Sequence, residues 1–167
     1  MSLQKVFLTV GGLGRLPHPG FSSTLITLPL GAALLLLLGA ETLFTLTFAL
    51  FLVGIFEVNK YENRTGTHDD SGIVIDETVG LWVALVVSIH GITFTPSLPY
   101  AFPLAIGLTL GSFLLFDNWK PSTIGWIERN LKGGLGVMLD DVLAGFAAGM
   151  LNLLIFKGLG ILLEKLG

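Results

Sequence analysis

Hydrophobic positions along this chain come in long uncharged runs, not in the alternating or one-faced patterns of a soluble fold. Residues 21–40 carry no charge over 20 positions. At about 1.5 Å rise per residue, a helix of that length crosses a hydrocarbon core of about 30 Å. Residues 42–56 form a second run between Glu41 and Glu57. From Thr78 to Phe116 there is no Asp, Glu, Lys or Arg for 39 residues, but Pro96, Pro99 and Pro103 divide the stretch. Helices tend to end before such prolines, which predicts helices over 78–94 and 102–116 with a short turn between them. A last run, 142–163, holds only Lys157. The pattern predicts an all-α, polytopic membrane helix bundle of about four to five spans, one membrane-embedded domain over residues 1–167. The first 20 residues lack the long apolar stretch and small-residue cleavage site of a signal peptide. Their GGLGRLPHPG segment reads as a loop or a re-entrant approach to the first span.

Composition agrees with that picture. Of 167 residues, 52% are apolar and only 13% charged, and the mean hydropathy is +0.81. An ordinary soluble domain carries about 25% charge. A disordered chain, a disulfide-stapled secreted module and a basic nucleic-acid binder are excluded. There is no cysteine, hence no thiol chemistry and no thiolate metal site. The basic residues are asymmetric. Lys5, Arg15, Lys60, Arg64, Lys120, Arg129 and Lys132 fall on one side of the predicted spans, and only Lys157 and Lys165 on the other. Basic residues stay cytoplasmic, so the N-terminus and the loops 57–77 and 117–141 are expected there. Gly107 with Gly111, and Gly145 with Gly149, form GxxxG pairs that suit close helix contact, although glycine is common in membrane helices anyway.

Chemistry concentrates at the same side. Of the twelve acidic residues, ten lie in or beside the two long loops, including all six Asp. His68–Gly80, HDDSGIVIDETVG, brings Asp69, Asp70, Asp76 and Glu77. The bland reading of Asp76 and Glu77 is charge complementarity to a helix N-terminus. They follow an apolar IVI triplet, however, where isolated carboxylates are unfavourable and a bound cation relieves them. Phe116–Pro121, FDNWKP, brings Asp117 and Lys120, with Trp119 readable as a membrane-interface residue. Lys132–Gly145, KGGLGVMLDDVLAG, brings a Gly-rich loop able to offer backbone N–H groups to an anion, or simply a turn, and then Asp140 and Asp141. Hard divalent ions such as Mg2+ prefer carboxylate oxygens, whereas three His and no Cys make zinc a poor candidate. His68 is the one histidine inside an acidic cluster; His18 lies in the N-terminal loop. Acids to hold a metal, with Lys60, Lys120 and Lys132 to hold an anion, are what phosphate-ester chemistry requires. A site at membrane level suits a lipid phosphate.

These motifs resemble the phosphatidylglycerophosphatase A family, in order along nearly the whole chain. The likeness runs through GRLPHPG, the HDD–IVIDE–VG–W block at His68–Trp82, FD–KP at Phe116–Pro121 and the GG–GVM–DD–AG block at Gly133–Gly145. The resemblance implies an Mg2+-dependent enzyme of the bacterial inner membrane, its site facing the cytoplasm, that removes the phosphate monoester of phosphatidylglycerophosphate in phospholipid biosynthesis. Asp76, Glu77, Asp140 and Asp141 are the expected metal ligands. Asp69 and Asp117 are expected as further ligands or base, and His68 as donor of a proton to the leaving oxygen. Lys60, Lys120, Lys132, Gly133 and Gly134 are expected to bind the phosphoryl oxygens. Partners are a phospholipid substrate and the membrane, with no nucleic acid and no oligomeric state implied. The chain departs from the family pattern at Phe21–Thr24, at Leu114 where an arginine is usual, and at Lys120–Ile124, KPSTI. Leu114 motivates one alternative, a catalytically impaired member. The other is a small cation carrier, which would need acids within the spans and not at their ends.

Overall fold

The computed structural model describes residues 2–68, 70–121 and 123–166, with the side chain of Glu128 left aside. Among the described residues there is no strand. The elements are α1 (Leu3–Leu8), a 3-10 segment (Val10–Arg15), α2 (Pro19–Leu38), α3 (Ala40–Thr65), α4 (Ile75–Ile89) extended by a 3-10 turn (His90–Phe94), α5 (Ala101–Trp119), α6 (Thr123–Asn130) and α7 (Gly134–Leu166). Five of them are long and apolar enough to cross a membrane: α2, α3, α4 with its 3-10 extension, α5 and α7. The all-α bundle is therefore observed, with five helices of spanning length among the described residues.

α2 and α3 are joined by Gly39 alone, at φ 85°. Only glycine takes that backbone conformation without strain, so the hairpin needs no further linker residue. Leu25, Leu30, Leu36, Leu37, Phe44, Phe48 and Phe56 point outward on this hairpin. On a membrane bundle that is the lipid-facing surface, where apolar side chains meet apolar lipid tails.

α4 is the central helix, with eleven of its 15 residues buried. Its main partner is α7, and the two run parallel. Gly80 lies on the backbone of Asp141 and Gly145, Gly91 on Phe156, and Gly160 on the backbone of Phe94. Lipid gives helices no hydrophobic reason to associate, so close backbone approach through small residues sets such contacts. The Gly145–Gly149 pair is used in this way, Gly149 packing on Val87. Gly107 and Gly111 are not: a methyl group at either would meet nothing within 4 Å. Deeper in the bundle, Asn152 of α7 donates to Ser88 Oγ of α4 (2.8 Å) and accepts from Ser112 Oγ of α5 (2.7 Å), tying three helices through buried side chains. Trp82 Nε1 donates to the Thr27 carbonyl (3.0 Å) and lies on Gly31, which docks α2 on α4.

The helices overrun the apolar segments that mark them. The third span starts at Ile75, not 78, and the fifth at Gly134, not 142. Backbone hydrogen bonding continues past a charge whenever the charged side chain faces the bundle and not lipid. The expected loops 57–77 and 117–141 consequently shrink, and Asp76, Glu77, Asp117, Asp140 and Asp141 all sit on helices.

Candidate functional site

The chain enters α4 through Ile73, Val74 and Ile75, all buried. Val74 N–H donates to the Leu8 carbonyl (2.9 Å), anchoring the start of α4 to the N-terminal segment. Asp76 and Glu77 follow in the first turn, and Asp76 Oδ1 accepts from the Glu77 backbone N–H (3.0 Å). α7 begins against α3, where Gly134 N–H donates to Asn59 Oδ1 (2.8 Å). Asp140 and Asp141 lie on its second turn, both buried. Asp76 precedes Gly80 by four residues and Asp141 precedes Gly145 by four. Residues four apart share a helix face, so the parallel Gly80–Gly145 contact brings both carboxylates to the same place one turn away.

Side-chain oxygens of Asp76, Glu77 and Asp141 lie within 4.8 Å of one another. Asp117, near the end of α5, and Asp140 are close enough for their charges to act on Asp141. Lys120 ends α5 at φ 43° and places its Nζ 2.8 Å from Asp140 Oδ2. α2 closes the remaining side. A methyl group on Gly20 would sit 2.6 Å from Glu77 Oε1, so glycine there leaves room for the carboxylate. These groups line a cavity of about 460 Å³ together with His18, Pro19, Phe21, Ser71, Leu114, Asn118 and Val137. That is a size typical of small-ligand sites.

The arrangement fits a hard divalent cation. The converging donors are all carboxylate oxygens, and Glu77 Oε2 is buried with no hydrogen-bond partner. A buried, unpaired carboxylate oxygen is strongly unfavourable unless something positive meets it. The cluster is acidic and its nearest ammonium, Lys120, is engaged by Asp140.

Of the residues expected from sequence, the cavity gathers Asp76, Glu77, Asp117, Lys120, Asp140 and Asp141. It does not gather Lys60, His68, Lys132, Gly133 or Gly134. Lys60 is exposed on α3 beside Glu57 (4.0 Å), and His68 Nδ1 sits 2.7 Å from Glu62 Oε1. Lys132 is exposed, and the Gly133–Gly134 turn packs on Asn59, which takes the Gly134 amide. Asp69 lies outside the described residues. The described carboxylates among the expected residues are thus on one end of the bundle, and the Gly134 amide of the glycine loop donates to Asn59 of α3. The sequence reading missed His18, Gly20 and Phe21. Pro19 was the available signal, because proline favours the first turn of a helix and places the preceding His18 at its N-terminus. Leu114, where the family pattern has arginine, faces this same cavity.

The phosphatidylglycerophosphatase A family matches residues 6–156 of the chain. A Haemophilus influenzae protein named phosphatidylglycerophosphatase A is 36% identical over 132 residues, which cover 79% of this chain and 75% of that protein. The Escherichia coli K12 protein of the same name is 34% identical over 100 residues, 59% of this chain and 52% of its own length. A Bacteroides thetaiotaomicron protein, named provisionally as a phosphatidylinositol-3-phosphatase, is 37% identical over 131 residues, 76% of each chain. No solved structure matches. The chain belongs to the phosphatidylglycerophosphatase A family.

Proposed function

We propose that this family member hydrolyses the phosphate monoester of phosphatidylglycerophosphate, releasing phosphatidylglycerol and inorganic phosphate with the help of Mg2+. The observation that carries the reading is the buried Asp76–Glu77–Asp141 cluster with its partnerless Glu77 oxygen, inside a bundle built to sit in lipid. These three carboxylates, with Asp140 beside them, would hold the ion. When bound, the ion supplies positive charge to the phosphoryl oxygens. Lys120 adds an ammonium on the same side. Asp117, half-buried at the cavity wall, takes the proton of the attacking water. His18, which also lines the cavity, gives a proton to the leaving glycerol oxygen as the phosphorus–oxygen bond breaks. His68 is held by Glu62 instead.

The site end faces the cytoplasm of a bacterial inner membrane in this reading. Support comes from Lys5, Arg15, Lys60, Arg64, Lys120, Arg129 and Lys132, which all lie at the end of the bundle that carries the acids. A cation carrier would string its acids through the spans. Here they form one pocket at one end.

The experiment is phosphate release from phosphatidylglycerophosphate in non-ionic detergent, with Mg2+, after chelation and after re-addition. Asp76→Asn and Asp141→Asn are expected to lose turnover by about 10²-fold or more. Wild-type turnover in either variant would refute the site, and no release by the intact protein would refute the function and favour the impaired member. The Bacteroides relative favours a second reading, phosphatidylinositol 3-phosphate as substrate, which the same assay decides with that lipid in parallel.

A further inference from the structure

A second cavity adjoins the first across one turn of chain. It measures about 130 Å³ and is lined by Lys5, Arg15, Tyr61, Asp70, Gly72 and their apolar neighbours. Ser71 lines the acidic cavity while Asp70 and Gly72 line this one, so the same turn of chain borders both. That turn is built firmly. Tyr61 Oη donates to Asp70 Oδ2 (2.6 Å), Gly72 N–H donates to Asp70 Oδ1 (2.9 Å), and Gly14 packs directly on the Gly72 carbonyl. Both oxygens of Asp70 are thereby committed there. Lys5 and Arg15 are exposed at the cavity, and the charge of Lys5 reaches Asp70.

The substrate of the reading above carries two anionic groups. One is the terminal monoester. The other is the phosphodiester that joins the headgroup to diacylglycerol, one glycerol away. In the acidic cavity the positive charges of the reading above, the ion and Lys120, serve the monoester, and no other Lys or Arg lines it for the second group. An uncompensated phosphodiester beside its carboxylates would be repelled. Across that turn stand two basic side chains at the same end of the bundle. We propose that the Lys5–Arg15 cavity binds the phosphodiester of the lipid substrate, so that the enzyme selects phospholipid monoesters over soluble ones. The inference rests on the proposed function, since it concerns the same substrate.

The test compares the intact protein with Lys5→Gln/Arg15→Gln, in non-ionic detergent with Mg2+. The substrates are phosphatidylglycerophosphate and glycerol 3-phosphate, which lacks the phosphodiester. The double variant is expected to raise KM for the lipid about tenfold or more, with kcat held within about twofold and glycerol 3-phosphate turnover unchanged. An unchanged lipid KM, or equal losses on both substrates, would overturn the proposal. A second measurement needs no variant: phosphatidylglycerol, which retains only the phosphodiester, should compete with the lipid substrate, and neutral diacylglycerol should not. Equal inhibition by the two overturns the proposal. Inorganic phosphate separates the remaining source of the same chemistry, because its inhibition should be the same in both proteins. If the variant weakens it, the cavity takes free phosphate instead. Failure of the proposed function is distinct, since the unmutated protein would then release no phosphate from the lipid.

Discussion

Replacing Gly80 by alanine tests whether the α4–α7 contact holds the carboxylates together. A methyl group there would lie 2.5 Å from the Asp141 carbonyl oxygen and 2.8 Å from Phe113 Cε2. Ordinary contact begins at 3.4 Å, so α4 and α7 must part by about 0.9 Å, the difference between 3.4 and 2.5 Å. The obstructing oxygen is backbone, and no side-chain rotation relieves it. The displacement falls one turn from Asp76 and at Asp141 itself, within a cluster only 4.8 Å across. Misplacement of reacting groups by about 1 Å costs on the order of 10²-fold in rate. The overpacking also destabilises by about 1–3 kcal/mol. The assay is phosphate release against Mg2+ concentration, beside thermal unfolding in detergent. Gly80→Ala is expected to need far more Mg2+ for half-maximal rate and to lose about two decades of kcat/KM. Gly107→Ala, with open space around its site, is the control expected to change neither. Wild-type Mg2+ dependence in Gly80→Ala would refute the claim that this crossing assembles the site.

Three further outcomes follow from the structure. Asn152→Leu strips the partner from the buried Ser88 and Ser112 hydroxyls and is expected to lower stability by roughly 1–3 kcal/mol, read as a drop in Tm. The Asp70 carboxyl is held below its usual range, first by the Tyr61 hydroxyl and then by the Gly72 amide. Its contribution to folding is therefore complete above the unfolded value and lost as pH falls through the lower folded value, so Asp70→Asn should flatten the acid limb of a stability–pH curve. Leu114→Arg places a guanidinium in the acidic cavity and is expected to lower KM for the phosphorylated lipid several-fold, roughly the effect of one charge-assisted hydrogen bond.

The spans were legible because uncharged runs of membrane length have few other uses. Their ends were not, because a charge marks where lipid exposure stops and not where helical hydrogen bonding stops. Asp140 and Asp141 show the difference: the apolar run begins after them, yet α7 begins at Gly134. The pairing of distant acids was readable as chemistry, since clustered carboxylates beside apolar segments call for a cation. Which histidine joins them was not. His68 is close to Asp76 along the chain but is turned toward Glu62, whereas His18 arrives with the start of α2. The glycine pairs give the same lesson. Gly145–Gly149 and Gly107–Gly111 are identical motifs, and only a neighbouring helix distinguishes a packed pair from an open one.

The single-residue joint at Gly39 has a practical consequence. Among the described residues, the far end of the bundle carries that joint, the short connection over 95–100 and the close of α7. In the orientation proposed above, a reporter enzyme fused after α7 would stand across the bilayer from the carboxylates, so one that works only when exported should light up.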